Sequence, residues 1–88
     1  MDAPIRVLYI DDNPNFADIV TTSLTAENEQ FEVETAMSAE GAVAQLTADI
    51  DCVVSDYDMP DQNGLALLDL VREEHPALPF ILYTNHLF

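Results

Sequence analysis

Two apolar segments of this 88-residue sequence run directly into aspartates. Residues 7–10 precede Asp11 and Asp12, and residues 52–55 precede Asp56. Short segments rich in β-branched and aromatic residues are typical of buried strands, and the carboxyl ends of parallel strands are where open α/β sheets bind ligands. If the two strands are neighbours, three carboxylates meet at one edge of the sheet.

A cluster of this kind is costly without a cation. Two unit charges about 4 Å apart repel by about 1 kcal/mol in water and by about 4 kcal/mol at an effective dielectric constant of 20. Carboxylate oxygens are ligands of hard divalent metals. The pattern therefore predicts a divalent metal site at Asp11, Asp12 and Asp56, with one carboxylate available for chemistry.

Alternating strands and helices are predicted to position these residues. Strands are expected at 6–10, 31–35, 52–55 and 80–83, and helices follow the first three. Asn13 and Ser38 are predicted N-caps of the first two helices, and Gly64 is expected to open the third. This order predicts right-handed crossovers and a parallel α/β sheet.

Apolar spacing predicts which helical residues face the sheet. The predicted inward residues are Phe16, Ile19, Val20 and Leu24 in the first helix; Ala39, Ala42, Val43 and Leu46 in the second; and Leu65, Leu67, Leu68, Leu70 and Val71 in the third.

The charge of the chain is strongly one-sided. The sequence contains 17 acidic residues, two arginines (Arg6 and Arg72) and no lysine, which gives a formal net charge of -15. A field of this sign repels nucleic acid and anionic lipid, so we expect no direct contact with either. The acids are scattered along the chain, which favours a solvated surface suited to a salt-rich cytoplasm, and hence a halophilic source, over a cationic partner.

Neither a membrane span nor a signal peptide is predicted, so a cytoplasmic location is expected. The single cysteine, Cys52, allows no internal disulfide and is expected to be a buried, inert thiol. Tyr57 and Tyr83 are interpreted as packing or rim residues, and His75 as a helix C-cap.

Three motifs in order resemble the receiver domain of two-component response regulators. They are Ile10-Asp11-Asp12-Asn13, Asp56-Tyr57-Asp58-Met59-Pro60 with Gly64 beyond it, and Leu78-Pro79 before a strand that ends at Thr84. The resemblance covers essentially the whole chain. It implies a flavodoxin-like, doubly wound parallel sheet of strand order 2-1-3-4, without the fifth strand and last helices, so residues 1–88 are expected to form a single, C-terminally incomplete receiver domain.

The resemblance also implies roles for single residues. Asp56 corresponds to the phosphoacceptor, which takes a phosphoryl group from a sensor histidine kinase, a phosphotransfer protein or a small phosphodonor. Asp12 is expected to bind Mg²⁺ directly and Asp11 through water, with Asp56 and the backbone carbonyl of Asp58 completing the metal site. Thr84 resembles the switch hydroxyl that senses the phosphoryl group.

The sequence departs from the family pattern after Thr84, where the family lysine and a further aromatic residue are missing. Slow phosphorylation is therefore expected. The chain is expected either to be a fragment or to be completed by self-association, such as a homodimer through an exposed fourth-strand edge. A degenerate receiver that only binds other proteins is an alternative. A haloacid-dehalogenase-type phosphatase is a weaker one, since Asp56-Tyr57-Asp58 resembles its nucleophile motif but Pro60 departs from it. A turnover enzyme is not expected.

Overall fold

A parallel four-stranded sheet forms the centre of the protein. The computed structural model describes residues 4–57 and 63–83. The strands lie in the order β2-β1-β3-β4, and every pairing between them is parallel. The predicted α/β fold and strand order are confirmed. In chain order the elements are β1 (Ile5–Ile10), α1 (Pro14–Glu27), β2 (Phe31–Ala36), α2 (Ala39–Gln45), β3 (Cys52–Asp56), α3 (Gly64–Glu74) and β4 (Phe80–Tyr83).

Side-chain caps fix where the helices begin. The Asn13 side chain accepts hydrogen bonds from the backbone N–H groups at the start of α1, and Ser38 Oγ accepts one from Gly41 N at 3.0 Å. Both predicted caps are confirmed. The cap of α3 is Asn63, whose Oδ1 accepts a hydrogen bond from Ala66 N at 2.9 Å. Each cap satisfies backbone donors that have no partner within the helix.

The main core lies on the sheet face that carries Leu8 and Ile10. Side chains alternate between the two faces of a strand, so Val53 of β3 joins these two residues, whereas Tyr9 and Val54 lie on the opposite face. Small residues of α2 let that helix approach the sheet closely. The buried cluster consists of Leu8, Ile10, Ala36, Ala39, Ala42, Ile50, Val53, Leu67 and Val71.

The predicted inward face of α1 is partly wrong. Ala17 is its buried residue, whereas Ile19 is 63% exposed and Phe16 is 40% exposed. Val20 and Leu24 are half-buried. Ala17, Val20 and Leu24 lie along one line of the helix, at spacings of three and four residues, and Ile19 projects to the side of that line. The prediction that Ile19 faces the sheet is therefore wrong, because hydrophobic character alone does not determine which side of a helix is buried.

The predictions for α2 and α3 need similar corrections. Leu67 and Val71, four residues apart, are the buried contacts of α3, whereas Leu65 and Leu70 are close to half exposed. In α2, Ala39 and Ala42 are buried as predicted, Leu46 packs partly buried against the core and caps the helix, and Val43 is 44% exposed and was wrongly placed inside. In each helix, fewer residues are buried than the apolar pattern predicts.

Candidate functional site

Three carboxylates converge at the carboxyl edge of the sheet. β1 and β3 are neighbours whose register pairs Ile10 with Ser55, so the residues that follow, Asp11 and Asp56, end side by side. Together with Asp12, they each offer a carboxylate oxygen within 4.8 Å of the others. Asp11 is 0% and Asp56 2% exposed, whereas Asp12 is exposed to solvent. The structure therefore brings together the three aspartates that the sequence selected.

Hydrogen bonds from both sides hold the carboxylate of Asp11. Its Oδ1 accepts a hydrogen bond from Asn13 N at 2.9 Å. Its Oδ2 lies 2.7 Å from Tyr83 Oη and 3.2 Å from Tyr9 Oη. The 2.7 Å distance is typical of a hydroxyl that donates to a charged oxygen. Asp11 is thus buried with hydrogen-bond donors at both of its oxygens.

The two tyrosines act as a pair. Their rings stack with centroids 5.9 Å apart at an interplanar angle of 18°, and their hydroxyl oxygens are 2.6 Å apart. Burial is the largest cause that raises the pKa of Tyr83, with further contributions from Tyr9 and Asp11. Burial likewise raises the pKa of Tyr9. Both hydroxyls therefore keep their protons at neutral pH and remain available as donors.

Sequence reasoning missed this part of the site. Tyr83 was interpreted as a packing or rim residue, and Tyr9 was read only as part of an apolar strand. The strand register held a signal: Tyr9 lies two residues before Asp11 and shares its face, and Tyr83 pairs with Asp56 across β3 and β4. Once this register is known, both tyrosine hydroxyls are expected on the face that carries the carboxylates.

Gly64 lets α3 start against the backbone of the site. Its N–H donates to the carbonyl oxygen of Tyr57 at 2.8 Å. A Cβ atom at Gly64 would lie 2.8 Å from the carbonyl oxygen of Asp56 and 3.2 Å from the Cα of Tyr57, and would also meet Leu82. Gly64 opens α3 as predicted, and no side chain fits there without displacing the segment that carries Asp56.

The donor set fits a hard divalent cation. The sequence contains only two basic Lys or Arg residues. Arg6 forms ion pairs with Glu32 at 3.2 Å and Asp49 at 3.7 Å, and the Arg72 guanidinium donates to the carbonyl of Leu78. Both arginines are thus engaged away from the carboxylate cluster. Oxygen ligands from clustered carboxylates suit Mg²⁺. Asp58 and Thr84, the other predicted site residues, lie outside the described residues.

Known proteins resemble this chain in sequence and in structure. Residues 7–87 match the response regulator receiver domain family. The probable transcriptional regulatory protein TcrX of Mycobacterium tuberculosis is 37% identical over 82 residues, which cover 92% of this chain and 34% of TcrX. The chain therefore spans about a third of the length of that relative.

Solved structures share the fold. The chemotaxis protein CheY4 of Vibrio cholerae superposes with a TM-score of 0.87 at 28% identity, over 98% of this chain and 72% of that one. The response regulator TrrA of Thermotoga maritima, solved in complex with Mg²⁺ and BeF, gives a TM-score of 0.85 at 29% identity, over 93% of this chain and 70% of that one.

The fold and the acid cluster together define a receiver, the signalling module of two-component systems. This chain belongs to the response regulator receiver domain family.

Within the described part of the chain, none of the helices is long and apolar enough to cross a membrane.

Proposed function

We propose that this receiver is a phosphoacceptor module in which Asp56 takes up a phosphoryl group beside a Mg²⁺ site. The observation that carries the proposal is the convergence of Asp11, Asp12 and Asp56 at the carboxyl edge of the sheet, with their oxygens within 4.8 Å of one another. Membership of the receiver family makes this edge the expected place for such chemistry.

In the proposed step a carboxylate oxygen of Asp56 attacks the phosphorus of a phosphorylated donor. A phosphorus–oxygen bond forms to Asp56, and the bond between phosphorus and the donor atom breaks, with its electron pair leaving on the donor. The product is an acyl phosphate. Bound Mg²⁺ would supply positive charge that offsets the repulsion between the carboxylates and the phosphoryl oxygens.

The residues around Asp56 have separate roles in this proposal. Asp12 as the direct metal ligand and Asp11 as a contact through water are the roles that the resemblance to receiver domains implies; Asp12 is exposed to solvent and Asp11 is buried. The carbonyl of Asp58 as a further ligand and Thr84 as the sensing hydroxyl stay predictions.

A sensor histidine kinase or a phosphotransfer protein is the protein partner that we propose for this function. The response regulator TrrA, which is 28% identical to this chain, has been solved in complex with the histidine kinase ThkA, with a TM-score of 0.85 over 96% of this chain and 72% of that one. This likeness supports a kinase as donor for Asp56. It favours the receiver function over a phosphatase of the haloacid-dehalogenase type.

The test uses an acyl phosphate as donor. The protein is incubated with Mg²⁺ and acetyl phosphate, and intact mass is recorded for the parent, Asp56→Asn and Asp69→Asn. Asp69 is an exposed aspartate on α3 and provides a matched control. We expect a labile single-phosphoryl adduct in the parent and in Asp69→Asn, and none in Asp56→Asn.

Other outcomes would contradict the proposal. A folded parent protein without an adduct would indicate the degenerate receiver that only binds other proteins. Continuous release of phosphate from a phosphate ester, without an accumulated adduct, would indicate a phosphatase.

A further inference from the structure

Tyr83 and Tyr9 form a hydroxyl pair at the buried carboxylate of Asp11. Tyr83 Oη is 2.7 Å from Asp11 Oδ2 and 2.6 Å from Tyr9 Oη, and Tyr9 Oη is 3.2 Å from the same carboxylate oxygen. The response regulator function described above does not by itself give these hydroxyls a role.

The number of hydroxyl protons limits which tyrosine can donate a hydrogen bond to Asp11. Each tyrosine carries one hydroxyl proton, and an ionised carboxylate only accepts hydrogen bonds. Tyr83 Oη is within donor distance of both Tyr9 Oη and Asp11 Oδ2. Because an ionised carboxylate is a stronger acceptor than a phenol oxygen, the Tyr83 proton is best used on Asp11, and Tyr9 then donates either to the Tyr83 oxygen or to the carboxylate. In both arrangements Tyr83 is the principal donor to Oδ2, and Tyr9 is the support.

The tyrosines are held by rigid parts of the fold. Tyr83 ends β4 and pairs with Asp56, and its backbone carbonyl accepts a hydrogen bond from Tyr57 N at 2.8 Å. Tyr9 lies in β1, the strand that leads into Asp11, and the two rings stack on each other. Donors fixed to strands on either side of Asp56 can hold a carboxylate in one rotamer more closely than a loop could.

We propose that the Tyr83 hydroxyl, supported by that of Tyr9, is a positioning group that holds the Asp11 carboxylate in the orientation needed to bind the divalent cation. This inference rests on the metal site of the proposed function. Asn13 N restrains Oδ1 and Tyr83 restrains Oδ2, so the Asp11 carboxylate would already be oriented when a divalent cation binds and would lose little rotational freedom on binding. Groups that orient metal ligands typically change metal affinity by 10- to 100-fold when they are removed.

The alternative is that the hydroxyls only satisfy a buried polar group. In that case their removal lowers the stability of the metal-free protein, while the folded protein keeps its affinity for Mg²⁺. The dissociation constant of Mg²⁺, measured on folded protein, separates the two roles.

The experiment is calorimetric titration of Mg²⁺ into the parent, Tyr83→Phe, Tyr9→Phe and Tyr57→Phe. Phe keeps the ring and removes only the hydroxyl. Tyr57 has a more exposed side chain and provides the matched control. We expect about 10-fold weaker Mg²⁺ binding by Tyr83→Phe, a smaller loss in Tyr9→Phe because its contact is longer, and the parent value in Tyr57→Phe. Circular dichroism confirms that each variant is folded.

Equal or tighter Mg²⁺ binding by folded Tyr83→Phe would overturn the inference. If Tyr83→Phe does not fold, Tyr9→Phe decides, and parent-like binding by that variant would overturn it. The outcome for the proposed function is separable: a parent that binds Mg²⁺ and forms the Asp56 adduct, with no effect of either hydroxyl, leaves the function standing and removes only this inference. A parent that binds no Mg²⁺ would overturn both.

Discussion

At the scale of single residues, the site is a compromise between burial and charge. Asp11 and Asp56 are almost fully buried, and Asp12 adds a third carboxylate at the solvent edge. Repulsion among them is lowest for the exposed member, because the effective dielectric constant is higher near water. Hydrogen bonds to Asp11 offset part of the cost of burying its charge.

Replacement of Asp12 by Asn should therefore have opposite effects with and without metal. In EDTA, loss of one charge from the cluster should raise the free energy of unfolding, by up to about 1 kcal/mol for an exposed group. In Mg²⁺ the parent should become the more stable protein, because a ligand that binds only the folded state stabilises it. Urea unfolding in both buffers measures the two differences.

Asp69→Asn is the control for this prediction, since it removes the same charge from an exposed position on α3. A destabilised Asp12→Asn in EDTA, or the same Mg²⁺ response in Asp12→Asn as in the parent, would contradict it.

At the scale of elements, the site depends on how α3 begins against the end of β3. Gly64 N donates to the Tyr57 carbonyl, and no room is left for a Cβ atom between α3 and the backbone of Asp56. The second glycine, Gly41 in α2, differs: a Cβ there would meet only Ser38 Oγ, at 3.2 Å. The two glycines therefore have different structural reasons to be present.

Substitution of each glycine by Ala should change the free energy of unfolding by different amounts. Gly64→Ala forces the segment of Asp56 to move and should lower the free energy of unfolding by about 1–3 kcal/mol. Gly41→Ala adds helix propensity but requires the capping hydroxyl of Ser38 to shift by a few tenths of an ångström, so the two effects oppose each other and the net change should stay within about 1 kcal/mol of the parent. Chemical denaturation of both variants provides the comparison. Equal losses in the two, or an unaffected Gly64→Ala, would show that the close approach at Gly64 is unimportant.

The sequence was sufficient for the order of elements but not for the faces of the helices. Strand ends, caps and acids are local signals, so the parallel fold and the cluster of Asp11, Asp12 and Asp56 were predicted correctly. Burial depends on which side of a helix meets the sheet, and Ile19 and Leu65 show that an apolar residue can remain outside.

The hydroxyl of Tyr83 was missed for a related reason. It reaches Asp11 across the sheet from a strand 72 residues further along the chain. The strand order was predicted, but the register that brings the two residues into contact was not, because local sequence patterns do not contain it.

At the scale of the whole molecule, charge is the dominant property. The formal net charge is -15, and the ion pairs of Arg6 with Glu32 and Asp49 involve exposed side chains. Self-repulsion of this size opposes the compact state and is screened by salt. β4 lies at one edge of the sheet, and its Ile81 is 55% exposed. Self-association through that edge and a halophilic source both stay predictions.

Thermal unfolding in a KCl series tests the role of charge. With EDTA present to exclude divalent cations, the melting temperature should rise steeply as the screening length falls from about 10 Å at 0.1 M to about 3 Å at 1 M. Sucrose, which stabilises folded proteins without screening charge, is the control and should have a smaller effect. No rise in KCl, or the same rise in sucrose, would argue against charge repulsion as the main term.

The central claim is that Asp56 is the phosphoacceptor, and locating the phosphoryl group tests it most directly. After incubation with acetyl phosphate and Mg²⁺, borohydride reduces an aspartyl phosphate to homoserine with loss of phosphate, and peptide mass spectrometry then identifies the converted residue. We predict homoserine at position 56, with Asp11 and Asp12 unchanged. Conversion at Asp11 or Asp12, or at no residue of the folded protein, would contradict the account.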